Sequence, residues 1–394
     1  MARTRIGVDV GSTAVRVAEV AAGDIPVVVR AAQVPLPPGV VEAGEVRQPE
    51  AVAEALRELW SKSGVKSKQV HLGVGNQRVV VREVALPWLP EKELRETLGF
   101  QVQEFIPMAS DEAVLDFDPL GEMDQGGRRM VRILLVAAHR PMVNALVEAA
   151  LAAKLDPQGI DLTPFAVIRA VGTGDEGLDL DSSGDEAIVD IGAQVTSICV
   201  HDRGVTRFVR MLPSGGRDIT LALASGLSVD EDVAERLKRG ESIEAPAQVE
   251  PSADEPAIEL PPPADSLPVD GPPVDTLPVE APRGVPAALP DATEVRQLAL
   301  TRAGSFVDEV RSSLEFYTAQ MPNAQIGRVL VVGGGSRLDG LLELLQERLP
   351  VPVDRGRLFE RAKSEIELSA EASAEAEAVL SVAVGLAIPA RRNA

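Results

Sequence analysis

Hydrophobic and polar positions alternate along the chain in two different rhythms. Short runs rich in Val and Ile, bounded by Gly, Pro or Asp, predict strands, whereas apolar residues spaced three or four apart predict helices. In the first part of the chain, strands are predicted at RIGVDV, AVRVAEV, IPVVVRAAQVPL, VHLGVG, RVVVREVALP and RMVRILLVAAH, and helices at PEAVAEALRELWSKSG, EKELRETLGFQVQEFI and RPMVNALVEAALAAK. This alternation of strands and helices predicts an α/β protein.

The second part of the chain repeats the alternation. The predicted elements are strands in AIVDIGAQVTSICVHD, a long helix in EVRQLALTRAGSFVDEVRSSLEFYTAQ, a strand, glycine turn and helix in VLVVGGGSRLDGLLELLQERL, and a closing helix in SAEAEAVLSVAVGLAI. With 394 residues, the chain is long enough for two domains or four small lobes. Hydrophobic residues make up 45% and aromatic residues 3%, so the predicted core consists of Val, Leu, Ile and Ala.

Residues 241–293 differ in composition from the rest of the chain. They contain eleven acids, thirteen prolines, one basic residue (Arg283) and no aromatic residue. Proline removes backbone donors and like charges repel, so this segment cannot bury enough apolar surface to fold alone. We predict a disordered, extended insert that acts as a spacer, with a proline-rich docking site as the alternative.

Charge and rare residues narrow the class of protein further. The formal net charge is −21, and the insert contributes −10 of it (eleven acids less one base). This balance argues against a nucleic-acid partner, which requires a basic stripe. One cysteine, Cys199, excludes an internal disulfide framework, and three histidines leave little material for a zinc site. The start MARTRIGVDVG is unlike a signal peptide, and no apolar run reaches the roughly 20 residues of a membrane span, so we expect a cytoplasmic protein.

Two short turns carry the candidate chemistry. The sequences DVGST (residues 9–13) and DIGAQVT (residues 190–196) each stand between a strand that ends in an acid and a strand that returns at once. Their acids lie 181 residues apart (190 minus 9). A single turn of this kind is an ordinary hairpin, because Asp and Gly favour turns for local reasons. Two copies, each at the head of an α/β half, predict a shared function.

The residue types in these turns suit a phosphate group. A glycine lets backbone N–H groups approach a phosphate closely, and the hydroxyls of Ser12, Thr13 and Thr196 can donate further hydrogen bonds. The carboxylates of Asp9 and Asp190 can hold a Mg²⁺ ion through water, since Mg²⁺ keeps part of its hydration shell. The turns therefore predict a site for a phosphate and a magnesium ion.

A third turn, rich in glycine, lies near the C-terminus. A buried strand at residues 329–332 runs into three glycines and then a helix, whose free N–H groups can bind an anion. A Rossmann fingerprint is the alternative, because Asp354 lies at the distance of a ribose acid. However, Leu338 stands where that motif has Gly or Ala. The chain has no Gly-Lys-Ser/Thr sequence, which excludes a P-loop.

In this order, the three turns resemble the ATPase superfamily of actin, Hsp70 and the sugar kinases. The resemblance implies an actin-like ATPase fold of two duplicated ribonuclease-H-like halves that clamp ATP and Mg²⁺ between them. The implied nucleotide-binding residues are Gly11, Ser12 and Thr13 in the first phosphate loop, Gly192, Ala193, Gln194 and Thr196 in the second, and Gly333, Gly334, Gly335, Ser336 and Leu338 in the adenosine motif.

Residues 78–165, DEVRSSLEFYTAQ and the terminal AVLSVAVGLAI are similar to the PilM family of type IV pilus assembly proteins. The cell-division protein FtsA carries a related insertion at the same place. The implied domains are a first half over 1–77, an FtsA-type inserted subdomain over 78–160, a return and connector over 161–184, a second half over 185–240, the acidic insert over 241–293, and the remainder with the adenosine motif over 294–394.

The family resemblance also implies contacts and partners. The helix with Glu309, Arg311 and Ser312 is implied to face the base and ribose, where Glu309 accepts ribose hydroxyls and Arg311 stacks on adenine. A solvated helix face is the alternative for these residues. The implied partner is the N-terminal cytoplasmic tail of PilN, an inner-membrane protein, bound beside the inserted subdomain. The pilus extension motor ATPase and a second copy of the chain are further candidate partners, and the membrane is reached through partners alone.

Within the inserted subdomain, an apolar stripe and a tryptophan mark the expected peptide groove. The stripe and its lead-in are Leu94, Leu98, Val102, Phe105 and Trp88. Most of a stripe of this kind is core, and its rim can line a groove for an extended peptide.

ATP binding does not require efficient hydrolysis. Asp190 is the candidate to orient the attacking water, and we expect slow turnover at most, with ATP acting as a conformational ligand. An FtsA-like scaffold is one alternative, although it would normally end in an amphipathic membrane helix where this chain reads IPARRNA. A sugar or acetate kinase is the other, but no substrate-pocket acid stands out.

Overall fold

The computed structural model describes residues 4–173, 184–241, 291–321 and 324–390. It divides into two compact units, one of Met1–Ile219 with Leu300–Ala394 and one of Thr220–Ala299. The strands are β1 (Thr4–Val10), β2 (Ala14–Ala21), β3 (Val27–Pro35), β4 (Val41–Glu42), β5 (Glu45–Val46), β6 (Gln69–Val74), β7 (Val79–Pro87), β8 (Ala113–Gln125), β9 (Arg128–His139), β10 (Asp156–Leu162), β11 (Asp185–Ile191), β12 (Thr196–Asp202), β13 (Val205–Leu212), β14 (Ile326–Val332), β15 (Val353–Arg355) and β16 (Lys363–Ser364).

The helices are α1 (Pro49–Ser63), α2 (Glu91–Gln101), α3 (Arg140–Ala152), α4 (Thr163–Val171), α5 (Gly216–Leu227), α6 (Glu231–Lys238), α7 (Ala292–Gln320), α8 (Leu341–Arg348), α9 (Leu358–Arg361), α10 (Ala370–Val379) and α11 (Ser381–Ala387). Short 3₁₀ helices cover Gln103–Phe105 and Gly334–Arg337. Of the predicted acidic insert, only Glu241 and residues 291–293 are described, and residues 292–293 open α7. None of the helices in the described ranges has the length and apolarity that a bilayer crossing needs.

Two sheets in the larger unit share one topology. In the first sheet, β1, β2 and β3 run antiparallel in sequence, and β6 and β10 follow on the other side of β1 as parallel strands. In the second sheet, β11, β12 and β13 run antiparallel, and β14 and β15 follow on the other side of β11 as parallel strands. Both sheets therefore have the order third, second, first, fourth, fifth strand, which confirms the predicted duplication. β16 extends the first sheet beside β3.

Helix α11 packs against the first strand at a distance that only glycine permits. A Cβ on Gly7 of β1 would lie 2.0 Å from the carbonyl oxygen of Ala383. On the opposite side of α11, a Cβ on Gly385 would lie 1.8 Å from the carbonyl oxygen of Ala166 in α4. The end of the described chain thus holds β1, which carries Asp9, against α4.

The inserted subdomain has its own antiparallel sheet, in the order β7, β9, β8, and its own core. The predicted single helix over EKELRETLGFQVQEFI is wrong, because α2 ends at Gln101 and a 3₁₀ turn follows. Pro107 explains where the 3₁₀ turn ends, since the residue before a proline is forced out of the helical region, and Ile106 has an extended φ of −117° and ψ of 140°. Leu94, Leu98 and Val102 are buried, and Phe105 is half-buried.

The predicted closing helix is also two helices, α10 and α11, which meet at Leu380. Near the junction, the hydroxyl of Ser381 donates to the carbonyl oxygen of Glu377 at 3.1 Å, a bond to the preceding turn that commonly bends helices.

Candidate functional site

The loop between β1 and β2 (residues 11–14) leaves backbone donors free. The N–H of Gly11 donates to the carbonyl oxygen of Ala14 at 3.0 Å and closes the turn. Within the described residues, the N–H groups and hydroxyls of Ser12 and Thr13 have no hydrogen-bond acceptor. Consecutive free N–H groups in a turn form a concavity that binds anions. We call residues 11–14 the first loop.

The loop between β11 and β12 (residues 192–195, the second loop) repeats this geometry. The N–H of Gly192 donates to the carbonyl oxygen of Val195 at 3.0 Å. Across the part of the chain that the structure describes, the N–H groups of Ala193 and Gln194 again have no acceptor. A Cβ on Gly192 would lie 2.6 Å from the Val195 oxygen, so only glycine fits this position. The two loops therefore have the same length, closure and free donors.

The carboxylates of Asp9 and Asp190 influence each other. Burial raises the pKa of Asp190 to about 7, the negative charge of Asp9 adds to the rise, and Arg16 opposes it. Burial also raises the pKa of Asp9, and Arg16 again opposes the rise. Asp9 and Asp190 are half-buried acids from different halves, and the charge of Asp9 acts on Asp190, which places the two loops near each other.

Arg16 lies in this site, and the sequence patterns do not single it out. It pairs with Asp9 across the β1–β2 hairpin, and its Nη1 lies 3.3 Å from Asp9 Oδ2. The same Nη1 lies 3.2 Å from the place of a Cβ on Gly11, so the guanidinium covers the first loop. Its Nε is buried without a hydrogen-bond partner among the described residues. A guanidinium in this place suits phosphate oxygens. The signal in the sequence is a cation on the strand opposite Asp9.

Thr196 does not present its hydroxyl to the site. The residue is fully buried, and its Oγ1 donates to the carbonyl oxygen of Ser214 at 2.8 Å. The N–H groups of Gly216 and Arg217, at the start of α5, donate to the carbonyl oxygens of Gly192 and Ala193 at 3.0 and 2.8 Å. The segment SGGR (residues 214–217) thus supports the second loop from behind. The sequence patterns above do not single out this segment, although two glycines between a strand and a helix were the available signal.

Gln194, predicted to bind nucleotide, uses its side chain to join the two halves. Its Oε1 accepts a hydrogen bond from the N–H of Ala43, in the turn between β4 and β5, at 2.7 Å. The backbone N–H of Gln194 remains free for an anion, as described above.

The triglycine turn packs beside Asp190. Gly333 has a φ of 85°, and a Cβ on it would lie 2.4 Å from Asp190 Oδ1. The predicted strand, glycine turn and helix are present, with a 3₁₀ helix over Gly334–Arg337 in the turn and α8 beginning at Leu341 after Gly340. In the described residues, the N–H groups of Gly334 and Gly335 have no acceptor, which makes them candidate donors to a ligand.

Ser336 and Leu338 are buried members of the same turn. The hydroxyl of Ser336 donates to the carbonyl oxygen of Gly333 at 2.7 Å. The N–H of Leu338 donates to the carbonyl oxygen of Gly335 at 3.2 Å. These groups shape the turn from inside, so they are not free donors for a ligand.

The structure places Glu309, Arg311 and Ser312 on the exposed face of α7. Arg311 forms an ion pair with Glu315 one turn further on, with an Nε–Oε1 distance of 2.8 Å. For the ranges that the structure describes, no contact joins these three residues to the three turns. Their contact with a base and ribose stays a prediction.

The site has a donor set that fits Mg²⁺. No cluster of three or more His, Cys, Asp or Glu side chains occurs in the described residues, so a cage made of protein alone is absent there. Two carboxylates with free N–H groups around them suit Mg²⁺, which keeps several waters and completes its shell with phosphate oxygens.

The duplicated halves and the paired loops define an actin-like ATPase fold. This topology excludes the Rossmann alternative, because three strands of each sheet are antiparallel. A family model described as type IV pilus assembly protein PilM matches residues 7–252, and one described as cell division protein FtsA matches residues 187–378. The chain belongs to the PilM family of type IV pilus assembly proteins.

Solved structures agree with this assignment. The chain is similar to a structure described as a PilM-PilN type IV pilus biogenesis complex, with 25% identity, 97% of each chain covered and a TM-score of 0.74. It also shares its fold with the ethanolamine utilization protein EutJ from Carboxydothermus hydrogenoformans, at 16% identity and a TM-score of 0.52, over 98% of this chain and 90% of that one. A diol dehydratase-reactivating factor in nucleotide-free form has 12% identity and a TM-score of 0.51, over 98% and 99% of the chains.

Proposed function

We propose that this chain binds Mg-ATP between its first and second loops and uses the nucleotide state to control a PilN-type partner in type IV pilus assembly. The observation that carries the nucleotide site is the meeting of Asp9 and Asp190 beside two loops with matching free N–H groups. Membership of the PilM family supports the pilus role.

Each group in the site has a defined task in this proposal. The N–H groups of the two loops and the Arg16 guanidinium bind phosphate oxygens. Asp9 and Asp190 would hold the Mg²⁺ ion, which would supply positive charge to neutralise the phosphate oxygens. Gly334 and Gly335 offer N–H groups to the nucleotide from the second half. This division of tasks leaves Thr196, Ser336 and Leu338 as structural residues.

Hydrolysis in this proposal is slow. Asp190 is the titratable group with a pKa close to neutral, which suits a group that accepts a proton from an attacking water. It also holds the metal, and a carboxylate with a metal on it is a weak base. ATP therefore acts mainly as a ligand that closes the two halves on each other.

The partner proposal rests on the inserted subdomain. The solved PilM-PilN complex, which this chain resembles over 97% of its length, contains a PilN chain. On the inserted subdomain of this chain, Phe100 is 81% exposed, and the Trp88 ring lies 3.9 Å from the Arg129 guanidinium carbon. We take these aromatic side chains as the candidate contacts for the partner peptide. The extension motor ATPase and a second copy of the chain stay predictions.

The proposal is tested with a labelled peptide of the N-terminal cytoplasmic segment of PilN from the same organism. The full chain should bind this peptide, and Mg-ATP should change the Kd. Phe100→Ser should weaken peptide binding about tenfold, as the loss of an aromatic anchor does, and leave the affinity for Mg-ATP unchanged. Ile25→Ser, which changes an apolar residue that is 49% exposed between β2 and β3 and lies outside the subdomain, is the control. A peptide that does not bind would contradict the partner assignment.

A further inference from the structure

A path of hydrogen bonds leads from the second loop to the base of the inserted subdomain. It begins where Gln194 Oε1 accepts the N–H of Ala43 at the tip of the β4–β5 hairpin, at 2.7 Å. It continues through Glu45 on β5, whose carboxylate pairs with Arg78 Nε at 2.8 Å. Arg78 immediately precedes β7, the first strand of the subdomain. Two contacts, joined by the hairpin, thus connect a phosphate-type loop to a different subdomain.

The two ends of the inserted subdomain meet at Arg78. The N–H of His139, the last residue of β9, donates to the carbonyl oxygen of Arg78 at 3.2 Å, and the Arg78 Nη1 lies 3.4 Å from His139 Nδ1. The N–H of Arg78 donates to Asn76 Oδ1 at 2.9 Å, and Asn76 is fully buried. The entry and exit strands therefore share one anchor, and a force on Arg78 acts on both.

The hairpin between these contacts is short and stiff. Its two turn residues, Ala43 and Gly44, have φ values of 49° and 76°, the left-handed pair of a tight two-residue hairpin turn. A Cβ on Gly44 would lie 2.9 Å from the carbonyl oxygen of Gly75, so the turn lies directly on the end of β6. An alanine at positive φ is uncommon and is held there by its surroundings. A stiff element with fixed ends transmits displacement instead of absorbing it.

We propose that the β4–β5 hairpin transmits the nucleotide state of the second loop to the inserted subdomain, through Gln194, Ala43, Glu45 and Arg78. This inference rests on the proposed function, because the input is phosphate binding to the free N–H groups of Ala193 and Gln194. Phosphate on these groups moves the loop, and the Gln194–Ala43 hydrogen bond carries the movement to the hairpin. Glu45 and Arg78 then shift the base of the subdomain that carries the partner surface.

The chain offers a matched pair of variants for the test. Glu45 forms a second ion pair with Arg47 Nη1 at 2.9 Å, and the two arginine side chains are 48% and 51% exposed. Arg78→Gln removes the ion pair between Glu45 and the base of the subdomain. Arg47→Gln removes the other ion pair of Glu45, which stays within the hairpin region. Glu45→Gln removes both and serves as a second variant on the path.

The measurement is hydrogen–deuterium exchange of the full chain with and without Mg-AMP-PNP, read over β7 and β9, with nucleotide affinity measured by calorimetry. In the wild type and Arg47→Gln, we expect nucleotide to change the exchange rates in these strands about fivefold, the low end of ordinary allosteric coupling. In Arg78→Gln and Glu45→Gln, this change should vanish while the nucleotide Kd stays within about twofold.

Three results would overturn the inference alone. The first is a wild type that binds Mg-AMP-PNP without any change in β7 and β9. The second is an Arg78→Gln variant that keeps the full change, and the third is an equal loss of the change in Arg47→Gln. A wild type that fails to bind Mg-AMP-PNP would instead overturn the proposed function, and the inference with it.

Discussion

Asp9 and Asp190 occupy the same position in two copies of one hairpin, and the charge of Asp9 raises the pKa of Asp190. Each acid precedes its loop glycine by two residues, and the residues opposite them across the hairpins are Arg16 and Ser197. The duplicated fold thus brings two acids to one place and supplies a single arginine to balance them. The remaining negative charge is the physical reason to expect a cation at this site.

The stability of the nucleotide-free protein should fall as Asp190 ionises. Its pKa is about 7 in the folded chain against an ordinary value of 3.8, so its contribution to stability is complete below about pH 4 and is lost as the pH rises through 7. Between pH 5 and pH 8, the unfolding free energy of the wild type should fall by about 3 kcal/mol more than that of Asp190→Asn. Urea unfolding of both proteins at several pH values measures this, and a difference independent of pH would contradict the burial of Asp190.

The second loop should tolerate no side chain at its glycine. In Gly192→Ala, the new Cβ would overlap the Val195 oxygen that closes the turn, so the free N–H groups lose their alignment. We expect Mg-ATP affinity to fall at least about tenfold, which corresponds to 1.4 kcal/mol. Gly23→Ala, where the nearest atom lies 3.4 Å from the new Cβ, is the control and should bind as the wild type does. Fluorescence titration with a nucleotide analogue provides the comparison.

The contact between α11 and α4 should be intolerant of a methyl group. In Gly385→Ala, the Cβ would lie 1.8 Å from the Ala166 oxygen, and the helices must separate. We expect a loss of about 3 kcal/mol, the upper end of ordinary overpacking. Gly99→Ala in α2 meets no atom closer than 3.8 Å and should instead stabilise its helix by about 0.5–1 kcal/mol. Thermal unfolding separates the two, and equal effects would show that α11 does not pack as described.

A buried carboxylate ties the second sheet to the end of the first half. Glu186 Oε1 lies 3.0 Å from His201 Nε2 and accepts the N–H of Thr173 at 2.9 Å, and Arg328 bonds to its Oε2. These partners hold its pKa at about 2 against the opposing effect of burial. Its contribution to stability is therefore present above pH 4.5 and is lost as the pH falls towards 2.

Glu186→Gln should cost about 3–5 kcal/mol at pH 7, because it leaves His201 and Arg328 without their acid. The measured cost should shrink below pH 4.5, because there the unfolded-state carboxyl takes up a proton while the folded-state carboxyl keeps its charge. Chemical denaturation at pH 7 and pH 3.5 supplies both values. A cost below 1 kcal/mol at pH 7 would show that the network does not contribute to stability.

The fold could be predicted from the sequence because the patterns that indicate its strands and turns are local. Apolar runs ending in Asp-x-Gly located β1 and β11, and their repetition indicated the duplication. Contacts between distant residues left no such signal. The role of Arg16 depends on its position across a hairpin, and the burial of Thr196 depends on Ser214, 18 residues further on. The hydrogen bond from Ala43 to Gln194 joins residues 151 positions apart, and no pattern in either segment predicts it.

The central claim is that the two loops bind one Mg-nucleotide, and isothermal titration calorimetry of the full chain with Mg-ATP at pH 8 tests it most directly. We expect a single site in the wild type. In Asp9→Asn and Asp190→Asn, affinity should fall at least about tenfold in the presence of Mg²⁺, with a smaller change in EDTA. Affinity that stays at the wild-type value in both variants, or the absence of ATP binding by the wild type, would contradict the account.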